Sequence, residues 1–297
     1  MKRQLAFVLS GGGSRGALQV GALQALLEAG LHPDLLVGTS IGAANAAFLA
    51  LNGFSQPSLE QLVEVWHDAA RADLMPANYL WLTVRSLFGR PSTYPAQRMR
   101  DFFLRHGIKP ELRFRDLQQI RLILVACDLN CGRPVMYGQN MEDSLLEGVV
   151  ASTALPPWVT PIEKNGQFIM DGGTVSNLPI EPALAAGATE IIALDLLDPR
   201  EVPVEGHGFG PFLGRLTYTV EKRQSDLEMA LATARGIPVT HIHLLGKEII
   251  PMWDFQHTNE LIDQGYQIAQ AEIGKMEAEK QRPRPLIERL REWWRGK

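Results

Sequence analysis

Residues 35–51 decide the fold of this chain, with the sequence LLVGTSIGAANAAFLAL. The apolar run Leu35–Val37 predicts a short buried strand, and the small apolar residues of Ile41–Leu51 predict a helix that packs closely on a sheet. Between them, Gly38-Thr39-Ser40-Ile41-Gly42 matches Gly-x-Ser-x-Gly, in which an abrupt strand-to-helix turn exposes a serine hydroxyl. A tight turn with a capping serine produces the same pattern, so the surrounding sequence has to decide between the two.

The rest of the chain alternates strands with helices. Strands are predicted at Leu5–Leu9, Arg121–Cys127, Gln167–Met170, Ile191–Leu194 and Val239–Leu244, and helices at Ser14–Ala29, Ser58–Ala70, Glu142–Ser152 and Asn259–Glu279. This order predicts a three-layer α/β/α sandwich with a mainly parallel central sheet. The segment Pro199–Gly214 is rich in proline and glycine and predicts a loop.

Composition and charge argue against several classes of protein. The 297 residues carry a net charge of −4, without the basic surplus of a nucleic-acid-binding protein. No apolar stretch is long enough to span a bilayer. Cys127 and Cys131 lack a second pair of ligands at zinc-binding spacing, so we interpret them as reduced thiols of a cytoplasmic protein.

A glycine-rich loop follows the first predicted strand, and it allows two interpretations. Gly11, Gly13 and Gly16 fit the dinucleotide-binding pattern Gly-x-Gly-x-x-Gly. That pattern requires an acidic residue at the end of the second strand, but Asp34 lies at its start. A nucleotide-binding regulatory module that uses Gly11–Gly16 therefore stays as an alternative.

The second interpretation of this loop is an oxyanion hole. Glycine backbones can aim N–H groups at a developing alkoxide without interference from side chains. Gly12 and Gly13 are the candidate donors. Arg15 either adds positive potential or solvates the helix surface.

A third motif, later in the chain, contains an aspartate. Asp171 ends the predicted strand in Phe168-Ile169-Met170-Asp171-Gly172-Gly173. Gly172 and Gly173 allow the backbone to turn away, so that the carboxylate can approach another group. Taken alone, the motif is also that of a structural Asp-Gly turn.

Together, these motifs resemble those of the patatin-like phospholipase family. The three motifs occur in the order of that family, and the segment Ala151-Ser152-Thr153-Ala154-Leu155-Pro156-Pro157 is similar to the one that precedes its acidic motif. The resemblance covers about residues 5–196. It implies a Ser40–Asp171 catalytic dyad, an oxyanion hole at Gly11–Gly13, supporting roles for Gly16, Gly38 and Gly42, and hydrolysis of lipid acyl esters through an acyl-enzyme without metal or cofactor.

Two other reaction mechanisms remain as alternatives to a hydrolase with a Ser40–Asp171 dyad. The order Ser…Asp…His is usual in α/β-hydrolases, and Asp195 with His257 is the best candidate for such a triad. An acyltransferase would pass the acyl group from Ser40 to an alcohol instead of water.

The sequence also predicts domain limits and lipid contacts. We expect an acyl-hydrolase domain over residues 1–280 and a basic amphipathic tail over residues 281–297. The tail combines arginines with Trp293 and Trp294 and suits the surface of a membrane. The apolar segment Asp73–Tyr94 is predicted to line an acyl groove or to cap it. These features predict a lipid substrate and peripheral contact with the inner membrane face.

Overall fold

A computed structural model describes residues 3–72, 74–75, 94–156, 159–201 and 209–281. Its centre is one eight-stranded sheet with the order β5-β6-β3-β2-β1-β7-β8, and β4 pairs with β3. The strands are β1 (Leu5–Leu9), β2 (Leu35–Thr39), β3 (Arg121–Asp128), β4 (Arg133–Tyr137), β5 (Ile162–Lys164), β6 (Gln167–Asp171), β7 (Glu190–Asp195) and β8 (Val239–His243).

Helices cover both faces of this sheet. They are α1 (Gly16–Glu28), α2 (Ile41–Asn52), α3 (Gln56–Ala72), α4 (Tyr94–Arg105), α5 (Leu145–Ser152), α6 (Gly173–Ser176), α7 (Ile180–Ala185), α8 (Phe209–Ala234) and α9 (Thr258–Gln281). The predicted α/β/α class is confirmed.

The sheet has a parallel half and an antiparallel half. The strands β3, β2, β1, β7 and β8 are parallel neighbours. In contrast, β4 and β6 run antiparallel to β3, and β5 runs antiparallel to β6. The expected parallel core is therefore extended by antiparallel strands, so that the sheet is mixed.

Two apolar cores lie on the two faces because successive strand residues point to opposite sides. Phe7 and Leu9 of β1 face one core, together with apolar residues of α1, α2, α3 and α9. Ala6 and Val8 of the same strand face the other core, against α7 and α8. This burial on both faces explains why β1 is apolar throughout.

The long helix α8 corrects the last part of the loop predicted at Pro199–Gly214, of which residues 202–208 lie outside the described residues. The helix begins at Phe209, so Gly210, Pro211 and Gly214 lie in its first turns. The first N–H groups of a helix have no partner within it, and proline costs little there. None of the described helices is long and apolar enough to cross a membrane.

Candidate active site

Ser40 occupies a strained turn between β2 and α2. Its backbone has φ 56° and ψ −125°, a left-handed φ that residues other than glycine rarely adopt. The flanking glycines are needed for close approach. A Cβ at Gly38 would lie 2.5 Å from the Gly42 carbonyl oxygen, and one at Gly42 would lie 2.2 Å from the Leu9 carbonyl oxygen. The predicted nucleophile elbow is therefore present in its geometry.

The strand β3 brings the ends of two other strands together along one of its edges. β2 runs parallel to β3 and ends with Thr39 opposite Val125. β6 runs antiparallel to β3 and ends with Asp171 opposite Ala126, the next residue. β4 takes the other edge of this part of β3, so β2 and β6 meet end to end. Because Ser40 directly follows β2, it comes beside Asp171.

The carboxyl group of Asp171 is held inside the protein. The residue is 2% exposed, and this burial raises the pKa of its carboxyl group to about 6. Hydrogen bonding with the Ser40 hydroxyl and with the Gly173 N–H, which donates to Oδ1 at 2.8 Å, offsets part of the effect of burial. Among the described residues, Oδ2 has no hydrogen-bond partner of ordinary distance and angle. The contact with Ser40 is therefore looser than an ideal hydrogen bond, as is common before substrate binds.

The glycine loop lies directly against Ser40. A Cβ at Gly11 would lie 2.4 Å from Asn177 Oδ1 and 3.0 Å from Ser40 Cβ. The Gly11 N–H donates to the Asn177 carbonyl at 3.2 Å, so Gly12 and Gly13 stay the candidate donors of the predicted oxyanion hole. Within the described residues, the N–H groups of Gly12 and Gly13 donate to no acceptor.

The ends of the glycine loop are fixed on both sides of these two N–H groups. The Ser10 N–H donates to the Leu194 carbonyl at 3.2 Å, and the Ser14 N–H donates to the Met252 carbonyl at 2.8 Å. The side chain of Arg15 folds back, and its Nε donates to the Gly12 carbonyl at 3.2 Å. Arg15 therefore lies within the loop structure and is not simply a solvated residue on the helix surface.

The remaining motif glycines make close contacts that exclude a side chain. A Cβ at Gly16 would lie 2.6 Å from Cγ1 of Ile41, the first residue of α2. A Cβ at Gly172 would lie 2.4 Å from the Val125 carbonyl oxygen. These glycines let the loop, the elbow and the Asp171 turn pack against each other.

A buried polar network that the sequence analysis missed joins the loop to the elbow helix. Gln19 Nε2 donates to the Ser10 carbonyl at 2.9 Å, and Asn45 Nδ2 donates to Gln19 Oε1 at 3.1 Å. Trp66 Nε1 completes the chain by donating to Asn45 Oδ1 at 3.0 Å. The available signal was an amide side chain among the apolar residues of each helix, Gln19 in α1 and Asn45 in α2.

An apolar cavity lies beside Ser40 and Gly13. The centres of water molecules can reach about 80 Å³ of it, several times the roughly 10–15 Å³ that one water needs. Leu74 and Met75 line it, while the rest of the predicted groove segment Asp73–Tyr94 lies outside the described residues, apart from the backbone of Tyr94. Further lining side chains are Phe48, Leu62, Trp66, Phe102, Phe103 and Leu155.

The predicted pairing of His257 with Asp195 is wrong. His257 Nδ1 lies 3.2 Å from Glu260 Oε2, and His257 Nε2 lies 3.7 Å from Asp254 Oδ2. Asp195 Oδ2 instead lies 2.9 Å from His241 Nε2. The spacing along the sequence could not show which histidine the strand order brings to Asp195.

Asp34, the acidic residue considered for dinucleotide binding, makes a structural hydrogen bond instead. Asp34 Oδ2 accepts a hydrogen bond from the Leu5 N–H at 2.8 Å. This contact lies at the amino end of β1, whereas the glycine loop follows its carboxyl end. Asp34 therefore cannot bind a ribose held at the loop.

Comparison with known proteins places these motifs in one family. The model of the family described as patatin-like phospholipase matches residues 7–184, more than half of the chain. Patatin-like phospholipase domain-containing protein 6 of Mus musculus is 31% identical over 206 residues, which are 69% of this chain and 14% of that protein. Lysophospholipase nte1 of Aspergillus terreus is 27% identical over 215 residues, 69% of this chain and 13% of that protein.

A solved structure is similar as well. Human GIVD cytosolic phospholipase A2, in complex with methyl gamma-linolenyl fluorophosphonate, gives a TM-score of 0.49 at 13% identity, covering 91% of this chain and 58% of that one. The chain thus spans only about one seventh of the two sequence relatives described above. The family match over more than half of its own length nevertheless shows that the chain belongs to the patatin-like phospholipase family.

Proposed function

We propose that this chain is a serine acyl-hydrolase that cleaves carboxylic esters of lipids, as a phospholipase A, a lysophospholipase or a lipid esterase. One observation carries the proposal: the strained turn at Ser40 faces the buried carboxyl of Asp171, where β2 and β6 meet. The apolar cavity beside Ser40 offers a place for an acyl chain.

Asp171 acts as the base that activates the serine. A free serine hydroxyl is a weak nucleophile and needs an adjacent proton acceptor. A carboxylate with a pKa of about 6 is ionised at neutral pH and accepts a proton better than an ordinary aspartate. The proton of the Ser40 hydroxyl passes to Oδ2 of Asp171 as the oxygen attacks the acyl carbon.

The glycine loop stabilises the negative charge that this attack creates. The former carbonyl oxygen becomes an oxyanion and accepts hydrogen bonds from the N–H groups of Gly12 and Gly13. Because the ends of the loop are fixed, these donors need little reorganisation as charge develops. The amino end of α2 contributes its positive dipole.

Collapse of the tetrahedral intermediate and hydrolysis of the acyl-enzyme complete the cycle. The tetrahedral intermediate expels the alcohol part of the lipid, which takes the proton from Asp171 and leaves an ester between the acyl group and Ser40. Water then attacks this ester and gives a proton to Asp171. The fatty acid leaves, and the proton returns to Ser40.

The identity of the substrate rests on the cavity and on the relatives. The lining is almost entirely apolar, so it favours an alkyl chain over a polar acyl group. The relatives described above carry the names phospholipase and lysophospholipase. We therefore propose a long-chain lipid ester at the cytoplasmic surface of a membrane. Residues 282–297 of the basic tail lie outside the described residues, and the membrane contact of this tail stays a prediction.

The test compares native protein with Ser40→Ala and Asp171→Asn on a panel of lipids and p-nitrophenyl esters. We expect Ser40→Ala to lose turnover and covalent labelling by a fluorophosphonate. Asp171→Asn should lose about 10²–10⁴-fold in kcat, the usual contribution of a positioned base. Ser225→Ala, at a buried serine of α8, and Asp254→Asn, at a half-exposed aspartate, are matched controls that should stay active.

Near-native turnover in Asp171→Asn, or fluorophosphonate labelling that survives Ser40→Ala, would overturn the proposal. Product analysis with added alcohol separates hydrolysis from acyl transfer. A hydrolase releases mainly free fatty acid, whereas an acyltransferase forms a new ester.

A further inference from the structure

Three side chains with metal-binding donors converge at the carboxyl ends of β7 and β8. Asp195 is the last residue of β7 and pairs with His243 of β8. His241 lies two residues earlier on β8 and therefore on the same face of the sheet. This cluster belongs neither to the proposed dyad nor to the cavity beside Ser40.

The donor atoms of the cluster point at one another. Asp195 Oδ2 lies 2.9 Å from His241 Nε2 and 3.8 Å from His243 Nδ1. One ligand atom from each residue lies within 4.8 Å of the other two. The two imidazole rings have centroids 3.8 Å apart and planes tilted by 40°. In a tetrahedral zinc site, bonds of about 2.0–2.2 Å separate the ligand atoms by about 3.3–3.5 Å. The measured separations of 2.9 and 3.8 Å lie on either side of that range.

The surrounding residues fix the Asp195 carboxylate and leave the cluster accessible to solvent. Oδ1 of Asp195 accepts the Leu197 N–H at 3.0 Å, a contact of the kind that orients metal ligands from outside. The Asp195 side chain is 3% exposed, whereas that of His243 is 55% exposed. Solvent can therefore reach the cluster and complete the coordination of an ion.

The charges near the cluster nearly cancel. Lys222 of α8 and Glu272 of α9 both act on His243 electrostatically. Lys222 forms an ion pair with Asp226, and Glu272 forms one with Lys275. The Asp195 carboxylate is thus the charge that directly meets an arriving cation.

We propose that Asp195, His241 and His243 bind a divalent transition-metal ion. Two imidazole nitrogens and one carboxylate oxygen are donors that suit zinc and related ions, whereas magnesium and calcium prefer oxygen donors alone. The ion takes no part in the ester chemistry at Ser40. It ties the edge strand β8 to β7, next to Leu196, whose N–H donates to Ser10 Oγ at 2.9 Å at the start of the glycine loop.

The test uses the full chain without a histidine tag, after treatment with a chelator and desalting. Calorimetric titration with Zn²⁺ should show one ion per chain, Co²⁺ should give visible absorption bands, and Zn²⁺ should raise the Tm. His243→Ala removes an exposed ligand and should fold normally by circular dichroism. It should weaken Zn²⁺ binding by at least about tenfold.

A matched control and a second ligand variant make the test decisive. His257→Ala removes a histidine that also lies near two carboxylates, Asp254 and Glu260, and should bind Zn²⁺ as the native chain does. His241→Ala should behave like His243→Ala. The proposal is overturned if the native chain does not bind Zn²⁺ stoichiometrically, or if both ligand variants keep native affinity.

Discussion

The backbone N–H of Ser40 donates a hydrogen bond to the side-chain oxygen of Ser152, 3.0 Å away. The Ser152 hydroxyl donates in turn to the Val125 carbonyl at 2.6 Å. Ser152 thus links the strained turn at Ser40 to the middle strand of the site. It is fully buried, so neither contact is exchanged for water.

We predict that Ser152→Ala lowers kcat by about tenfold and the free energy of unfolding by about 1–3 kcal/mol, because it leaves two buried polar groups without partners. KM should change little, since Ser152 does not line the cavity. Kinetics on a p-nitrophenyl ester and urea unfolding measure both effects. Ser225→Ala removes another buried serine hydroxyl and should leave kcat unchanged. An equal loss of kcat in that control would contradict the role of Ser152.

The activity should depend on pH through Asp171. Its pKa of about 6 in the folded protein means that the base is ionised above pH 6 and protonated below it. We expect kcat/KM to fall about tenfold for each pH unit below about 6, as for a single essential base. A profile measured from pH 4 to 8 would contradict this prediction if it stayed flat between pH 5 and 7.

The same pKa predicts how stability responds to pH. Folding raises the pKa of Asp171 from 3.8 to about 6, so the folded state favours the protonated carboxyl. Its stabilising contribution is complete below about pH 4 and is lost as the pH rises through about 6. Asp171→Asn should therefore gain stability relative to the native chain, reaching up to about 3 kcal/mol above pH 7.

Urea unfolding at several pH values measures this difference. Glu228 is also buried, with its pKa raised to about 7. It titrates in both proteins, so its effect cancels in the comparison. Asp254→Asn removes the charge of a carboxyl that is about one third exposed and serves as the control. A stability difference for Asp171→Asn that is constant from pH 4 to 8 would be inconsistent with a raised pKa.

The glycine loop should tolerate no side chain at Gly12. A Cβ there would lie 2.8 Å from Leu196 Cβ, so Gly12→Ala must displace the loop and its two N–H groups. We expect kcat to fall about 10²–10³-fold, the usual loss when an oxyanion donor is removed, with little change in KM. Gly274→Ala, on α9 with open space around it, is the matched control and should keep full activity.

The cavity should set the length of the acyl chain. Ala69 lines it from α3, so Ala69→Phe fills part of its volume. Activity on p-nitrophenyl palmitate should fall by at least tenfold relative to p-nitrophenyl acetate, roughly the discrimination of a hydrophobic pocket that loses space. Ala70→Phe, next to it but not among the lining residues, should keep the native preference. An unchanged ratio in Ala69→Phe would place the acyl chain elsewhere.

The basic tail should contribute to membrane binding. A chain that ends at Gln281 lacks the arginines and tryptophans of residues 282–297. Its binding to anionic lipid vesicles should weaken at low salt, because basic residues near such a surface contribute about 1 kcal/mol each. Vesicle co-sedimentation measures this. Equal binding of the short and full chains would refute it.

The elements of the site were predictable, but their assembly was not. The strand before Ser40, the helix after it and the strand that ends at Asp171 all follow from local apolar patterns. Nothing local shows that β6 runs antiparallel to β3 and meets β2 end to end, because that depends on pairing between distant strands. The Gln19–Asn45 contact likewise joins two separate helices.

Two errors have similar causes. The prediction of His257 as the partner of Asp195 relied on chain order, whereas the neighbour of β7 in the sheet is β8, which carries His241. The predicted loop at Pro199–Gly214 was wrong over residues 209–214, because the prediction used the content of proline and glycine and not their position. Both residues are tolerated in the first turns of a helix such as α8.

The end-to-end meeting of β2 and β6 also determines where the protein can be altered. The distance between Ser40 and Asp171 depends on the pairing of their strands with β3, so inserting one residue inside β6 would turn the carboxyl group to the opposite face. A longer turn at Asn165–Gly166, between β5 and β6, leaves that pairing unchanged. Such turns are the places where residues can be added while the reacting groups keep their separation.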